Sequence, residues 1–234
     1  MEDKQKLNLL RLAINNASDL DEAKAYASFI MGDGNPIATC APRADNSDER
    51  TKAVKEDGVC IVTRELSPVP FGLVGLVQDP EKLDVMVSYH GHNWIVAKDD
   101  LKGGELPLFS DDSHPEDTSS FYKCEIEALN DFDMKSCTEH LRKAGIAFEL
   151  DADLYIPTVG QLAAMFLFRA ELNKALELVG GTPMKEGVYW ASSELDAWCS
   201  WSVSFDSGYV YNWNGKCNGV NYVRPCTAFE LKKK

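Results

Sequence analysis

Long apolar runs are missing from this sequence. It has no stretch of about 18 or more apolar residues, so it offers no helix able to span a membrane. Its first residues mix apolar with charged side chains and lack the unbroken apolar core and small-residue cleavage site of a signal peptide. Cysteine occurs seven times, an odd number, with no C-x-x-C pair. These absences predict synthesis in the cytoplasm, reduced thiols and no membrane insertion.

Positive charge is also scarce, and the deficit is uneven. The formal net charge is −13, and residues 1–150 contribute 28 acidic and 16 basic side chains to it. From Asp151 onward the two kinds nearly balance, with 9 acidic and 8 basic residues. Nucleic-acid binding needs clustered Lys and Arg that displace counterions from phosphates. We therefore expect no nucleic-acid partner.

The familiar catalytic and metal motifs are absent as well. The sequence has no glycine-rich phosphate loop, no G-x-S-x-G and no H-E-x-x-H. His90 and His92 would share one face of a predicted strand, but no third ligand follows at a suitable spacing. The acidic segment 110–117 lacks the ligand periodicity of an EF-hand. We expect no catalytic residue, no metal and no cofactor.

Apolar periodicity predicts a mixed α+β domain that follows a short helical segment. Residues 4–31 show helical spacing, and a polar linker follows at 33–57. Helices are also predicted at 133–145, with Asp133 as N-cap and Gly145 as the end, and at 158–180, where Thr158 and Gln161 form a capping box. Short strands are predicted at 58–65, 71–78, 82–91 and 92–100.

The apolar spacing changes from a period of 3.6 residues to a period of 2 after Gly180 and Gly181. Trp201, Val203 and Phe205 alternate with Ser202 and Ser204, which predicts a half-buried strand with its serines facing outward. A turn at 206–208 and a return strand from residue 209 should follow. A last strand at 221–229 should lie at a sheet edge, because Pro225 cannot donate a ladder hydrogen bond.

Residues 189–222 also have the composition of a binding surface. They hold four of the five tryptophans and four of the eight tyrosines, set among Ser, Asn and Gly. Aromatic side chains give large contact areas at low entropic cost, while Ser, Asn and Gly supply adaptable hydrogen bonds. Trp190, Trp201 and Phe205 fall on predicted core positions. The remaining aromatic residues lie among polar ones and favour a ligand-contacting role: Trp198, Tyr209, Tyr211, Trp213 and Tyr222.

Several motifs in this order resemble a bacterial and phage family. They are DLYIPTVGQLAAM (153–165), LNKALELVGG (172–181), YWASSE (189–194), SWSVSF (200–205), GYV (208–210), Lys216 and YVRPCTAF (222–229). The family is the C-type-lectin-like domain related to formylglycine-generating enzymes. It occurs in Lcl-type adhesins and in the variable proteins of diversity-generating retroelements. The resemblance is specific over about 153–229, weak over 58–100 and absent from 1–56.

The resemblance implies a twisted, mostly antiparallel sheet with two packed helices over 57–234. In the diversified members, random replacement of template adenines turns Asn codons of the AAY type into codons for Ser, Asp, Tyr, Gly, Cys or His. The matching variable region is 189–226. Twelve positions of this sequence match the variable positions of the family, and each holds a residue that an AAY codon can yield. They are Ser202, Ser204, Asp206, Ser207, Tyr209, Tyr211, Asn212, Asn214, Cys217, Asn218, Gly219 and Asn221. The implied ligand-binding set also includes Leu195, Asp196, Trp198, Cys199, Trp213 and Tyr222.

Other positions match the fixed scaffold of the family. They are Trp190, Glu194, Trp201, Val203, Phe205, Gly208, Val210, Lys216, Val223, Arg224, Pro225 and Phe229. Glu194 and Arg224 are expected to form a buried pair that holds loops in place. Trp198 and Trp213 depart from the pattern, since TGG has no route from AAY and needs another template codon. The calcium-dependent sugar-binding motifs of animal C-type lectins are absent, and so are the closely spaced catalytic cysteines of the formylglycine enzymes.

The expected function is therefore binding without catalysis, to a variable protein or glycan ligand on a target surface. Residues 1–56 form an accessory segment whose position is compatible with oligomerisation or with attachment to a virion or cell surface. Two alternatives stay open. A cysteine-dependent oxidase of the formylglycine-generating type predicts Cys217 and Cys226 close together beside a groove. A non-diversified structural adhesin module predicts that the Ser/Asn-rich surface lies in a subunit interface.

Overall fold

The structure is a computed structural model that describes residues 57–64, 66, 68–110 and 121–228. The predicted helical segment 1–56 lies outside the described residues. So do Phe229 and most of the acidic segment that follows residue 110. The account below concerns the described part of the chain.

Two antiparallel sheets and four α-helices make up the described chain, which confirms a mixed α+β fold. The strands are β1 (Gly58–Val62), β2 (Pro68–Val69), β3 (Asp84–Tyr89), β4 (His92–Val96), β5 (Val188–Glu194), β6 (Cys199–Ser204), β7 (Val210–Gly215) and β8 (Cys226–Ala228). The helices are α1 (Glu125–Leu129), α2 (Met134–Ala144), α3 (Val159–Leu167) and α4 (Arg169–Leu178). Two 3₁₀ helices lie at Phe71–Leu76 and Pro80–Lys82.

The larger sheet has the strand order β2-β1-β3-β4-β8, and the smaller one has the order β5-β6-β7. Strand β8 joins the larger sheet from the far end of the described chain, with Ala228 opposite Trp94. Helix α3 contacts β5 and β6 of the smaller sheet, and α4 contacts β1 and β3 of the larger one. Because α3 also contacts α4, one continuous core of buried side chains joins the two sheets.

Local sequence signals set the helix ends. The Asp133 carboxylate accepts a hydrogen bond from the Ser136 amide at 3.0 Å, and Gly145 ends α2 with a left-handed φ of 94°. The predicted capping box at Thr158 and Gln161 is present at the start of α3. The predicted single helix 158–180 is instead two helices, because Phe168 leaves the helical conformation at ψ 21°. No Gly or Pro marks that break in the sequence.

Two predicted strands are wrong or too long. Residues 71–76 form a 3₁₀ helix, with neighbouring Leu73 and Val74 both buried, which a half-buried strand would not allow. The predicted strand 221–229 is reduced to Cys226–Ala228. Before it, Asn221 and Tyr222 make isolated bridges to Leu106 and Tyr189. Strand β8 does lie at a sheet edge, as predicted.

Candidate ligand-binding surface

A row of aromatic rings lies along β7, and we call Tyr209, Tyr211 and Trp213 the aromatic row. The rings of Tyr209 and Tyr211 are 6.2 Å apart, and those of Tyr211 and Trp213 are 5.2 Å apart. Tyr209 is 67% exposed and Trp213 is 66% exposed, whereas Tyr211 is half-buried. Alternate residues of a strand put these rings side by side. Among the described residues, the exposed large aromatic side chains are Trp198, Tyr209 and Trp213, and two of these three belong to the row.

Polar positions surround the aromatic row. The turn before β7 exposes Asp206 and Ser207, and the turn after it exposes Asn218. Asn212 and Asn214 are half-buried on β7, and the Asn214 side-chain amide donates a hydrogen bond to the Ser202 hydroxyl. This neighbourhood offers donors and acceptors next to large apolar rings, which is the mixture that a ligand-contacting surface uses.

A second turn lies at the Gly215 end of β7. The Lys216 amide donates to the Trp198 carbonyl oxygen at 2.9 Å, so exposed Trp198 sits beside the end of the strand. The Asp196 carboxylate accepts hydrogen bonds from the amides of Trp198 and Cys199, at 2.8 and 2.7 Å. Asp196 therefore shapes this turn through its own side chain.

Some predicted ligand-contacting residues are not on the surface. Ser202, Ser204 and Asn221 are buried, with 0%, 3% and 6% of their areas exposed. The prediction that Ser202 and Ser204 face solvent is wrong. Their face of the smaller sheet also carries Trp190, which packs in a second apolar cluster with Leu108, Phe109, Leu141, Ile156 and Val223. The side chains that cover this face come from segments distant in the sequence, so the period-2 spacing of the strand alone could not indicate that the face is buried.

Three further predicted positions are tied to the interior. Leu195 and Tyr222 pack partly against the main core, and Cys217 packs against the second cluster. The Tyr222 ring contacts the Tyr189 ring and the Lys185 ammonium, 5.5 and 4.5 Å away. These contacts give Tyr222 a packing role distinct from the aromatic row.

Gly219 is a special position among those matched to the variable pattern. A Cβ atom added there would lie 2.8 Å from the Gly215 carbonyl oxygen and 3.1 Å from the Trp190 ring. Contacts this short leave no room for a side chain unless the backbone moves. Gly219 thus fits as a fixed residue. Gly208 is fixed for a similar reason, with a φ of +77° and the Phe166 ring 2.5 Å from an added Cβ.

A buried cluster of charged side chains stabilises the turn that leads into Trp198. The Lys216 ammonium, 1% exposed, contacts the fully buried Glu194 carboxylate and the carbonyl oxygens of Asp196 and Ala197. His140 Nδ1 lies 2.6 Å from the other Glu194 oxygen. Burial lowers the pKa of Lys216, and the Glu194 carboxylate acts in the opposite direction. No sequence signal pointed to His140.

Arg224 belongs to a second buried cluster. Its Nε donates to the Asp100 carboxylate at 2.7 Å, and its guanidinium also donates to the carbonyl oxygens of Ala97, Lys98, Thr182 and Pro183. The predicted Glu194–Arg224 pair is therefore wrong, although both residues are buried and each holds loops through other partners. Asp100 was not predicted, because nothing in its local sequence distinguishes it from Asp99.

Fully buried aromatic residues complete the support for the surface. Trp190, Trp201 and Phe205 are each at most 1% exposed. The Trp190 indole N–H donates to the Leu106 carbonyl oxygen at 2.6 Å, and that of Trp201 donates to the Tyr122 carbonyl oxygen at 3.1 Å. These bonds satisfy the polar ends of the buried rings. The aromatic row thus lies on a sheet whose buried aromatic side chains are closely packed and hydrogen-bonded.

The described residues contain no group of three or more His, Cys, Asp or Glu side chains placed to hold a metal ion. None of the helices in the described ranges has the length and apolar character needed to cross a membrane. Cys226 is a fully buried thiol, and burial raises its pKa. A buried thiol that stays protonated is a poor nucleophile.

The difference between buried and exposed predicted positions gives a first testable prediction. Replacing fully buried Ser202 by asparagine should lower the free energy of unfolding by about 1–3 kcal/mol, because a larger polar group must enter packed space. The same replacement at exposed Asp206 should change it by less than about 0.5 kcal/mol. Urea denaturation of both variants measures the difference. Equal stability would show that the Ser202 site is open to larger side chains.

No family model matches this chain, and no curated protein matches it. A solved structure with partial similarity is a fimbrial protein from Bacteroides ovatus, with 16% sequence identity and a TM-score of 0.44. The match covers 59% of this chain and 36% of that one, so the chain spans about a third of the length of that structure.

Proposed function

We propose that this chain is a ligand-binding protein with a C-type-lectin-like domain, whose surface around β7 is diversified by a retroelement. The ligand is a protein or glycan on a target surface, and it differs between sister copies of the gene. The domain binds and does not catalyse. The sequence motifs that resemble the family support the fold assignment, and the geometry of the aromatic row supports the choice of site.

The observation that carries the proposal is the aromatic row itself, exposed on an edge strand of a sheet whose other strands pack in the core. Tyr209 and Trp213 each leave about two-thirds of their area open to solvent. Large aromatic side chains dominate binding energy at protein interfaces, and leaving them exposed has a cost in solubility. A surface of this kind is typical of a binding site.

The separation of exposed from buried positions supports diversification. Tyr209, Asp206, Ser207 and Asn218 are exposed, and each is a residue that an AAY codon can yield. The positions matched to the fixed scaffold include the buried residues Trp201, Val203, Phe205, Lys216, Val223 and Arg224. Replacing exposed residues costs little stability, so such a surface tolerates random change. Ser202, Ser204, Asn221 and Gly219 are the exceptions and limit the variable set.

The DNA next to the gene tests the proposal directly. We expect a near-copy of the segment that encodes residues 189–226, close to a reverse-transcriptase gene and differing from it only at adenines. The differing codons should include those for Asp206, Ser207, Tyr209 and Asn218, and should spare those for Trp201 and Phe205. A flank with no such copy would leave a binding protein with a fixed surface, and differences spread over all bases would reject the retroelement.

A further inference from the structure

We infer that residues 4–31 of this chain dock on the outer face of the larger sheet, which is the face turned away from the main core. The inference concerns the accessory segment and not the ligand, so it is independent of the proposed retroelement. It makes the segment a second cover of the sheet and part of the domain, in place of a free arm for oligomerisation or attachment.

A row of side chains crosses the outer face of the larger sheet. Cys60 lies opposite Met86, Met86 lies opposite Ile95, and Ile95 lies opposite Thr227, on four adjacent strands. Residues directly opposite one another in a sheet share a face. Ile61, next to Cys60, packs in the main core. Because successive side chains of a strand point to opposite faces, the row points away from that core.

The strands that carry the row are apolar on both faces. Strand β1 contains the unbroken apolar run 59–62, VCIV, and β3 contains 85–87, VMV. An antiparallel strand with one face in water alternates apolar and polar residues, so unbroken runs indicate that both faces are covered. The exposed fractions agree with this, since they are 0% for Val62, 2% for Met86 and 8% for Cys60.

The described residues supply little of the cover for this face. Of the described apolar side chains, Leu66 and Ile95 are the ones that pack against Cys60, Val62 and Met86. Ile95 belongs to the sheet itself, and Leu66 lies between β1 and β2. The described helices contribute their apolar side chains to the main core and to the second cluster. Strands cannot cover their own face, so the apolar cover comes from outside the described residues.

Composition distinguishes the segments that could provide this cover. Residues 111–120, DDSHPEDTSS, hold no large apolar side chain. Residues 229–234, FELKKK, hold two, but they continue from β8, which lies three strand spacings, about 14 Å, from β1. Residues 4–31 precede β1 through the polar linker and have apolar side chains at helical spacing. These are Leu7, Leu10, Ile14, Ala23, Tyr26 and Ile30.

The segment also matches the face in length and in charge. A helix over residues 4–16 would be about 20 Å long, which exceeds the distance of about 14 Å across the row. Residues 4–16 contain Lys4, Lys6 and Arg11 and no acidic side chain. Residues 57–234 carry 27 acidic and 16 basic side chains. This opposite charge favours association of the segment with the rest of its own chain.

Cys60 makes the cover measurable, because its thiol lies in the row. In the full chain under native conditions, N-ethylmaleimide should modify Cys60 at least about a hundredfold more slowly than the exposed Cys124. Mass spectrometry of the digested protein follows each thiol separately. Leu10→Asp and Tyr26→Asp each place a charge in the apolar contact and should accelerate modification of Cys60 at least about tenfold.

Gln5→Asp is the matched control for these substitutions. It makes the same change in charge, but residue 5 lies on the side of the predicted helix opposite Leu7, Leu10 and Ile14. The rate at Cys60 should therefore change by less than about twofold.

Cys226 separates loss of docking from loss of the fold. It is fully buried on the inner face of the same sheet, opposite Val96. Loss of docking exposes Cys60 and leaves Cys226 unmodified, whereas unfolding exposes both thiols. If Leu10→Asp unfolds the chain, Leu10→Ala takes its place and should accelerate modification of Cys60 at least about threefold with Cys226 still protected.

Four results would overturn the inference. Modification of Cys60 as fast as that of Cys124 in the unaltered chain would mean that the face is open. Protection that disappears on dilution from about 100 to about 1 μM would assign the cover to a second copy. Protection that persists in folded variants of both Leu10 and Tyr26 would exclude the segment. Protection that is lost in Phe229→Asp would assign the cover to the residues after β8.

Discussion

Replacing Arg224 by methionine should lower the free energy of unfolding by about 3–5 kcal/mol, because it leaves the Asp100 carboxylate buried without its guanidinium partner. The Asp100 side chain is only 5% exposed. The substitution also removes the donors to four carbonyl oxygens in segments 97–98 and 182–183. Methionine keeps most of the length of the side chain, so the loss reports mainly on charge and hydrogen bonding.

Lys185 offers a matched control at the same carboxylate. Its ammonium lies 3.5 Å from the second Asp100 oxygen, but its side chain is 48% exposed. Exposed ion pairs contribute about 0–1 kcal/mol, so Lys185→Met should change stability by no more than that. Urea denaturation followed by tryptophan fluorescence measures both variants. Similar losses for the two would mean that Asp100 is hydrated and that Arg224 does not act as a buried anchor.

Replacing Gly160 by alanine should destabilise the protein by about 2–3 kcal/mol, although alanine normally stabilises a helix by roughly 1 kcal/mol over glycine. A Cβ atom at this position of α3 would overlap the Leu129 carbonyl oxygen and lie 2.8 Å from that of Asp131. Both neighbours are backbone atoms, so no side chain can rotate to make room. Relief requires α3 to move away from the end of α1 and the residues that follow it.

Gly75 is the control for that substitution. It lies in the 3₁₀ helix, and an added Cβ would meet nothing within 4 Å. Gly75→Ala should therefore leave stability unchanged or raise it by up to about 1 kcal/mol. Thermal unfolding followed by circular dichroism gives both values. A stabilising Gly160→Ala would mean that α3 and the 129–131 backbone are farther apart than this packing indicates.

Features determined by a few neighbouring residues were predictable from the sequence. The Asp133 cap, the left-handed Gly145 and the capping box of Thr158 with Gln161 depend only on side chains within one helical turn. Trp201 and Phe205 were also placed correctly in the core, because period-2 spacing identifies one face of a strand. These signals are local, and so the structure and the sequence agree on them.

Features that depend on distant segments were not predictable. Ser202 and Ser204 were predicted to face solvent, because their alternation with apolar residues is typical of a strand with one solvent-exposed face. Both are buried, since the second apolar cluster covers that face of the sheet. In the same way, Glu194 and Arg224 were correctly predicted to be buried charged residues but were wrongly predicted to pair with each other. Their partners, His140, Lys216 and Asp100, are set by the packing of separate elements.

The late arrival of β8 in the larger sheet has a consequence for biosynthesis. Strand β4 emerges from the ribosome early, yet its partner Cys226–Ala228 is translated only after α1 to α4 and the whole smaller sheet. Until then, the β4 edge at Trp94–Val96 lacks the strand that covers it. Pairings between such distant residues form slowly, and nascent chains with open strand edges aggregate readily. High expression levels, which raise the concentration of incomplete chains, should therefore increase the insoluble fraction of the protein. Slower translation at low temperature should increase the soluble yield.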